Sequence, residues 1–128
     1  MKKTIITSEK APKPIGPYSV ATQFGSLIFL SGQLGINPET GNLVEGGVEQ
    51  EVRQILKNIK GLLEVAGSSF DQVLKTTIFL RDIQDFQVVN SIYGEAFVIQ
   101  PPARSTVQVA ALPKAAAVQI ELIAAVSE

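Results

Sequence analysis

The chain has 128 residues, 45% of them hydrophobic and 18% charged, which is the composition of one globular domain and not of a disordered segment. Eleven Lys and Arg against 12 Asp and Glu leave a net charge of −1, so the charge balance does not favour nucleic acid as a partner. The sequence has no Cys and no His, which excludes disulfides and thiolate chemistry and removes the commonest general base and metal ligand. We therefore expect no metal and no cofactor.

The apolar stretches are too short to take the chain into or across a membrane. The start, MKKTIIT, imitates a secretory signal, but Ser8-Glu9-Lys10 interrupts its apolar run after a few residues. The stretches SLIFLSG and IELIAAVSE fall well short of the roughly 20 residues that span a bilayer. These features predict a cytoplasmic protein without a membrane partner.

The first half of the chain predicts three strands and one helix. The strands are expected at residues 3–7, 20–24 and 27–31. The Pro-rich loop APKPIGPYS separates the first two, and Gly32 and Gly35 are expected to end the third where the backbone turns. After the turn cluster NPETGN, apolar residues recur at steps of three and four from Val48 to Ala66, which predicts a helix with Gly67 as its C-terminal cap.

The second half predicts a strand, a helix and two final strands. The strands are expected at residues 73–80, 103–112 and 118–126. In the first of them one face is predicted to comprise Leu74, Thr76, Ile78 and Leu80. Asp82 or Asp85 caps the second helix, and Pro101-Pro102 prevents its continuation. Its apolar stripe, interpreted as core, comprises Phe86, Val89, Tyr93 and Ala96 or Phe97.

The order β-β-β-α-β-α-β-β contains two strand–helix–strand units, whose right-handed crossovers place both helices on one face of the sheet. Alternation in the last strand then leaves Gln119 and Glu121 on the open face. In the strand before it, alternation directs Val107 towards the helices and leaves Arg104 and Thr106 on the open face. Arg104 and Glu121 are thus predicted to share this mixed polar and apolar face. We expect a closed homo-oligomer to cover it.

Five segments resemble the RidA family of reactive intermediate (enamine/imine) deaminases, in order and over nearly the whole chain: IGPYSVA, IFLSGQLG, FQVVNSIYGEAF, PPARSTVQVAALP and IELIAAV. The resemblance implies an α+β, chorismate-mutase-like fold as a single domain over residues 1–128, with a mixed sheet and two helices on one face. It also implies a homotrimer with three clefts between subunits. In that family, water hydrolyses 2-aminoacrylate or 2-iminobutanoate, released by pyridoxal-phosphate enzymes, to a 2-keto acid and ammonia.

Arg104 and Glu121 are the expected centre of this chemistry. The guanidinium of Arg104 can grip a substrate carboxylate through two parallel hydrogen bonds, a geometry that Lys cannot copy. Glu121 interrupts an apolar strand, where a carboxylate is rarely tolerated unless it is paired or functional, and it is predicted to position the attacking water. The alternatives are an inter-subunit salt bridge for Arg104 and a structural partnership of Glu121 with Arg104 or Lys75.

Five further residues are expected in the cleft. Tyr18 is predicted to close it and to hydrogen-bond substrate or water, and Gly32, after Ser31, suits a close approach of a ligand to the backbone. The resemblance implies that Asn90 lines the cleft from the neighbouring subunit. Thr106 stands where many members carry Cys, so it offers a hydroxyl but no thiol regulation. The alternatives are a packed Tyr, a strand-ending Gly and a surface Asn.

The missing His is compatible with imine hydrolysis, because a protonated imine is already a strong electrophile. The site then needs only to align water and hold the carboxylate. A second hypothesis is a trimer that binds a small carboxylate, such as a 2-keto acid, without turnover. A third, weaker one is a ribonuclease or translation inhibitor, which the absence of His and the net charge disfavour.

Overall fold

The computed structural model describes residues 2–126, which form one six-stranded sheet and two α-helices. The strands are β1 (Thr4–Ile6), β2 (Ala21–Phe24), β3 (Leu27–Gln33), β4 (Val73–Leu80), β5 (Ala103–Gln108) and β6 (Val118–Ala125). The helices are α1 (Val48–Ala66) and α2 (Phe86–Ala96). Short 3-10 turns occupy Phe70–Gln72, Ile83–Asp85 and Pro113–Ala115. The predicted order of strands and helices is confirmed.

The sheet is mixed, as predicted, with the strand order β1-β2-β3-β6-β4-β5. Strands β4 and β5 run parallel, and the other neighbours run antiparallel. Helix α2 connects the parallel pair, as a crossover between parallel strands requires. Because β5 ends the strand order, it is an edge strand within the described residues.

The core lies between one face of the sheet and the two helices. The stripe that α1 buries completely comprises Val52, Ile55, Ile59 and Leu62. It belongs to the same apolar cluster as Val89 of α2 and Ile120 of β6, so both helices cover one face, as predicted. Gly67 caps α1 in the left-handed region at φ 79°, donating its N–H to the last turn. Neither helix of the described part has the length and apolarity needed to cross a bilayer.

Strand β3 continues past its predicted end. Gly32 lies inside β3, and the pairing with β6 shifts between Leu30 and Gln33, as at a β-bulge. Both Leu30 and Gln33 are buried, so the extra residue is absorbed without ending the strand. The expectation that Gly32 ends this strand is therefore wrong. Conversely, β5 ends at Gln108, four residues before the predicted Leu112.

A second irregularity changes the start of β4. The pairing of β4 with β6 shifts between Val73 and Lys75. As a result Val73 is buried, with 3% of its surface exposed, whereas Leu74 is 49% exposed. The prediction that Leu74 lies on the same face as Thr76 is wrong, because strict alternation cannot accommodate an inserted residue. From Thr76 onward the predicted alternation holds.

Strand β5 presents the opposite face from the one predicted. Thr76 pairs with Arg104 in the parallel register, and Ile78 pairs with Thr106. Paired residues point to the same face, and Thr76 and Ile78 are buried beneath the helices, so Arg104 and Thr106 lie on the helix face. Val107 lies on the open face, 43% exposed. The prediction that Arg104 and Glu121 share one face is wrong, because at an edge strand the inward position can take a long polar side chain that reaches out to solvent.

Candidate active site

The predicted site residues form two groups on different parts of the chain. The first, called the arginine group, comprises Arg104, Asn90 and Thr106 on β5 and α2. The second, called the loop group, comprises Tyr18, Ser31, Gly32 and Glu121 on the Pro-rich loop, β3 and β6.

The guanidinium of Arg104 is held by one face of α2. Its Nη1 donates to Asn90 Oδ1 at 2.7 Å. Its Cζ lies 5.0 Å from the ring centroid of Tyr93 and 5.5 Å from that of Phe86, within cation–π range. Within residues 2–126 Arg104 forms no salt bridge, so no carboxylate of these residues neutralises its charge. The cation is oriented yet available to an anion.

The Tyr93 side chain is itself fixed. Its hydroxyl lies 2.7 Å from Thr76 Oγ1, and both residues are buried. Burial raises the pKa of Tyr93, while the hydrogen bond with Thr76 and the charge of Arg104 act in the opposite direction. Tyr93 therefore stays neutral at physiological pH. Arg104 faces its aromatic ring and not a phenolate anion.

Thr106 has unused hydrogen-bonding capacity. Its Oγ1 is buried and has no hydrogen-bond partner among residues 2–126. Leaving a buried hydroxyl unpaired costs about 1–3 kcal/mol, so a partner from outside the chain would stabilise it. Thr106 lies two residues after Arg104 on the same face, and it is thus placed beside any ligand of Arg104.

Three members of the loop group line one cleft of about 340 Å³ between the Pro-rich loop and β3, namely Tyr18, Ser31 and Gly32. Ser31 attaches the loop to the sheet, because its Oγ donates to Ser19 O at 2.7 Å and its N–H donates to Val20 O at 2.9 Å. The donors of Ser31 are therefore used within the chain. Tyr18 is 50% exposed, and its hydroxyl has no hydrogen-bond partner in the described part. Of these three, Tyr18 has the polar group most accessible to a ligand.

Gln119 also lines this cleft, although the sequence did not single it out as a site residue. A Cβ placed on Gly32 would overlap Gln119 Nε2, so the Gln119 side chain covers the backbone of Gly32. A ligand that approaches Gly32 must contact or displace Gln119. The sequence feature that points to Gln119 is its position on the open face, two residues before Glu121.

Glu121 lies on the open face, as predicted, but outside that cleft. It is exposed, and it lines a separate depression with Phe29, Lys75 and Thr77. Lys75 Nζ donates to Ser105 Oγ at 3.3 Å, and within residues 2–126 Glu121 forms no ion pair. Neither of the structural partnerships weighed for Glu121 is present in the described residues.

The two groups cannot serve one small ligand within a single chain. Arg104 and Glu121 lie on opposite faces, and the strand order puts β4 between β5 and β6. Two strand spacings amount to about 10 Å, to which the thickness of the sheet is added. A site that uses both residues needs a second copy of the chain.

Comparisons with known proteins match a region of the chain that contains every residue of both groups. Residues 8–126 match the family model described as Endoribonuclease L-PSP. The chain is 48% identical over 122 residues to the 2-iminobutanoate/2-iminopropanoate deaminase of Homo sapiens, covering 95% of this chain and 89% of the human protein. A RutC family protein of Pyrococcus abyssi is 46% identical over 124 residues, covering 97% and 98%. A Rid-family protein of unknown function from Yersinia pestis superposes with a TM-score of 0.95 at 49% identity, covering 98% and 100%.

Proposed function

Because this chain belongs to the RidA family, whose model is described as Endoribonuclease L-PSP, we propose that it is a 2-iminobutanoate/2-iminopropanoate deaminase. It would hydrolyse reactive 2-imino acids and their enamine tautomers, including 2-aminoacrylate, to 2-keto acids and ammonia. Pyridoxal-phosphate enzymes that eliminate water from amino acids would supply these substrates. The observation that carries the proposal is the guanidinium of Arg104, which is oriented by neutral partners and is not paired with a carboxylate in the described residues.

Arg104 binds the substrate carboxylate in this proposal. One N–H of Nη1 is directed to Asn90, and the other donors remain for two parallel hydrogen bonds to the acid group. Hydrogen bonds to charged groups contribute about 1.5–3 kcal/mol each, enough to orient a small imino acid. Thr106 adds a hydroxyl beside this contact.

The active site forms between two copies of the chain. The arginine group of one copy faces the loop group of the next, in a homotrimer with three such clefts. Support comes from the separation of Arg104 and Glu121 across the sheet. It also comes from the apolar side chains of the open face, since Phe29 is 40% exposed and Val107 is 43% exposed.

Glu121 activates the water. Its carboxylate accepts a proton as the water oxygen bonds to the imine carbon, and the protonated imine becomes a tetrahedral amino alcohol. Glu121 returns that proton to the nitrogen, the C–N bond breaks, and ammonia leaves with the bonding electron pair. As the keto group forms, the Glu121 carboxylate accepts the proton of the intermediate's hydroxyl and passes it to the ammonia, which becomes ammonium. Tyr18 hydrogen-bonds the substrate or the water through its hydroxyl.

The test couples the protein to a pyridoxal-phosphate dehydratase that acts on threonine or serine. The proposal predicts faster release of 2-ketobutyrate or pyruvate, together with less imine captured by semicarbazide. If both quantities stay unchanged when the protein is added, the deaminase proposal is wrong.

One observation favours a second candidate, a trimer that binds small carboxylates without turning them over. Glu121 is exposed and lies outside the cleft that Tyr18 and Gly32 line. Calorimetry with 2-ketobutyrate beside the deamination assay separates the two functions. Binding that depends on Arg104 without any deamination would support the second candidate.

A further inference from the structure

Two aromatic side chains of α2, interpreted from the sequence as core, contact the guanidinium on which the proposed function depends. We propose that Phe86 and Tyr93 are positioning residues, whose rings hold Arg104 in one orientation before a substrate carboxylate arrives. The kinetic consequence of this proposal rests on the proposed function, whereas the geometry of the contact does not.

The contacts come from one face of one helix. Phe86, Asn90 and Tyr93 are spaced at i, i+4 and i+7, which places them in line along α2. The two rings lie 5.5 Å and 5.0 Å from the Cζ of Arg104, and Asn90 accepts from Nη1 at 2.7 Å. The helix thus presents a ring, an amide oxygen and a second ring to the same cation.

A hydrogen bond fixes the Tyr93 ring to β4, the strand that pairs with the strand of Arg104. Tyr93 is linked by its hydroxyl to Thr76 at 2.7 Å, and Thr76 pairs with Arg104 across the parallel strands β4 and β5. The ring of Tyr93 is therefore held relative to the backbone of Arg104 itself. Phe86 is half-buried at the first turn of α2, so its ring sits at the margin of the core.

The chemistry of the guanidinium explains what the rings contribute. An aromatic ring attracts a cation over its face, whereas the N–H donors of Arg lie in the guanidinium plane. Ring contacts can thus orient the cation without using its donors. An exposed Arg side chain samples many rotamers, and the carboxylate of a small substrate would have to select one of them. Holding the side chain beforehand removes part of that cost and improves binding.

The decisive variant is Phe86→Leu, with Phe70→Leu as the matched control. Phe70 is also half-buried against the same core and packs edge-on to Phe97 at 5.1 Å, without contacting Arg104 in the described structure. We expect Phe86→Leu to weaken 2-ketobutyrate binding and raise KM by about 3- to 10-fold, with kcat changed less than about twofold. Phe70→Leu should lower Tm comparably and leave both constants unchanged. Tyr93→Phe keeps the ring but removes its hydrogen bond to Thr76, so it should lose less affinity than Tyr93→Leu, which removes both.

A second measurement, by NMR, does not depend on deaminase activity. Ring currents from two nearby aromatic rings should shift the Nε–H proton of Arg104 away from the position of the other Arg residues in NMR spectra of the whole protein. Phe86→Leu should reduce that shift and Phe70→Leu should leave it.

The outcomes distinguish failure of the positioning proposal from failure of the proposed function. If the two Phe variants weaken binding equally, or if the Arg104 signal coincides with that of an exposed Arg, the positioning proposal is overturned. If the wild-type protein neither binds 2-ketobutyrate nor deaminates an imine, the proposed function fails instead, and the NMR shift still reports whether the rings position Arg104.

Discussion

Arg104 combines three contacts that a lysine could not reproduce together. The guanidinium donates to Asn90, while its Cζ lies 5.5 Å and 5.0 Å from the ring centroids of Phe86 and Tyr93. The remaining donors still match the two oxygens of a carboxylate. An ammonium group on a flexible stem would keep the charge but would lose this geometry.

Replacing Arg104 with Lys should therefore weaken ligand binding while the fold is kept. We expect Arg104→Lys to raise the Kd for 2-ketobutyrate by about 10- to 100-fold and to lower kcat/KM similarly, because the paired hydrogen bonds are lost. Calorimetry and the coupled deamination assay measure both. Arg53→Lys is the control, since Arg53 forms only exposed ion pairs with Glu49 and Glu95. Equal affinity in the two variants would show that Arg104 does not bind the ligand.

Gly32 has no side chain, and this leaves space beside its backbone in the cleft. A methyl group at this position would meet Gln119 Nε2, the far end of a flexible side chain, and not backbone. We expect Gly32→Ala to raise KM several-fold while Tm changes little, because the displaced amide obstructs the cleft. The double variant Gly32→Ala/Gln119→Ala should recover much of the lost affinity. If it recovers none, the substrate does not approach Gly32 in the way proposed.

At the scale of elements, the two helices and the order of strands and helices along the chain could be predicted because their signals are local. The stripe of α1 repeats at helical spacing, and Gly67 adopts the positive φ expected of a cap. The faces of the strands could not all be predicted. Two register shifts interrupt the alternation, and Arg104 occupies an inward position at an edge strand where alternation predicts apolar residues. These features depend on neighbouring strands, so alternation within one segment cannot reveal them.

The same limit applies to the candidate site. The residue types that carry the proposed chemistry could be named from the sequence, but their grouping could not, because it depends on which face of the sheet each residue takes. The sequence predicts Gln119 on the open face, but it does not show that this side chain covers Gly32 on the neighbouring strand. Helical spacing likewise indicates only a packing role for Phe86 and Tyr93. Their helical spacing predicts burial correctly but does not show that Arg104 lies against them.

Two glycines of the helices should respond oppositely to the same substitution. Gly67 has φ 79°, where a side chain is strained, so Gly67→Ala should cost about 1 kcal/mol of stability. Gly94 lies within α2 with nothing within 4 Å of its added Cβ, so Gly94→Ala should stabilise by about 0.5–1 kcal/mol. Denaturant unfolding measures both. A loss of stability in Gly94→Ala would indicate that another copy of the chain packs against that position.

At the scale of the whole molecule, the sheet separates what the proposed reaction must bring together. The arginine group lies at the helix face of β5, and Glu121 lies on the open face of β6. The open face also exposes the apolar side chains of Phe29 and Val107. In an isolated chain these side chains would contact only water. In the proposed homotrimer, assembly of identical chains would cover the apolar side chains and bring the arginine group of one copy to the loop group of another.

The most direct test of this claim is the deaminase activity of hybrid oligomers made by co-expressing Arg104→Ala and Glu121→Ala chains. Each variant alone lacks one half of every site and should be nearly inactive. In random mixtures, about one quarter of the sites join an intact Arg104 to an intact Glu121 from a neighbouring copy, so activity should return to about one quarter of the wild-type value. Activity no greater than that of the two variants measured separately would contradict a site shared between copies.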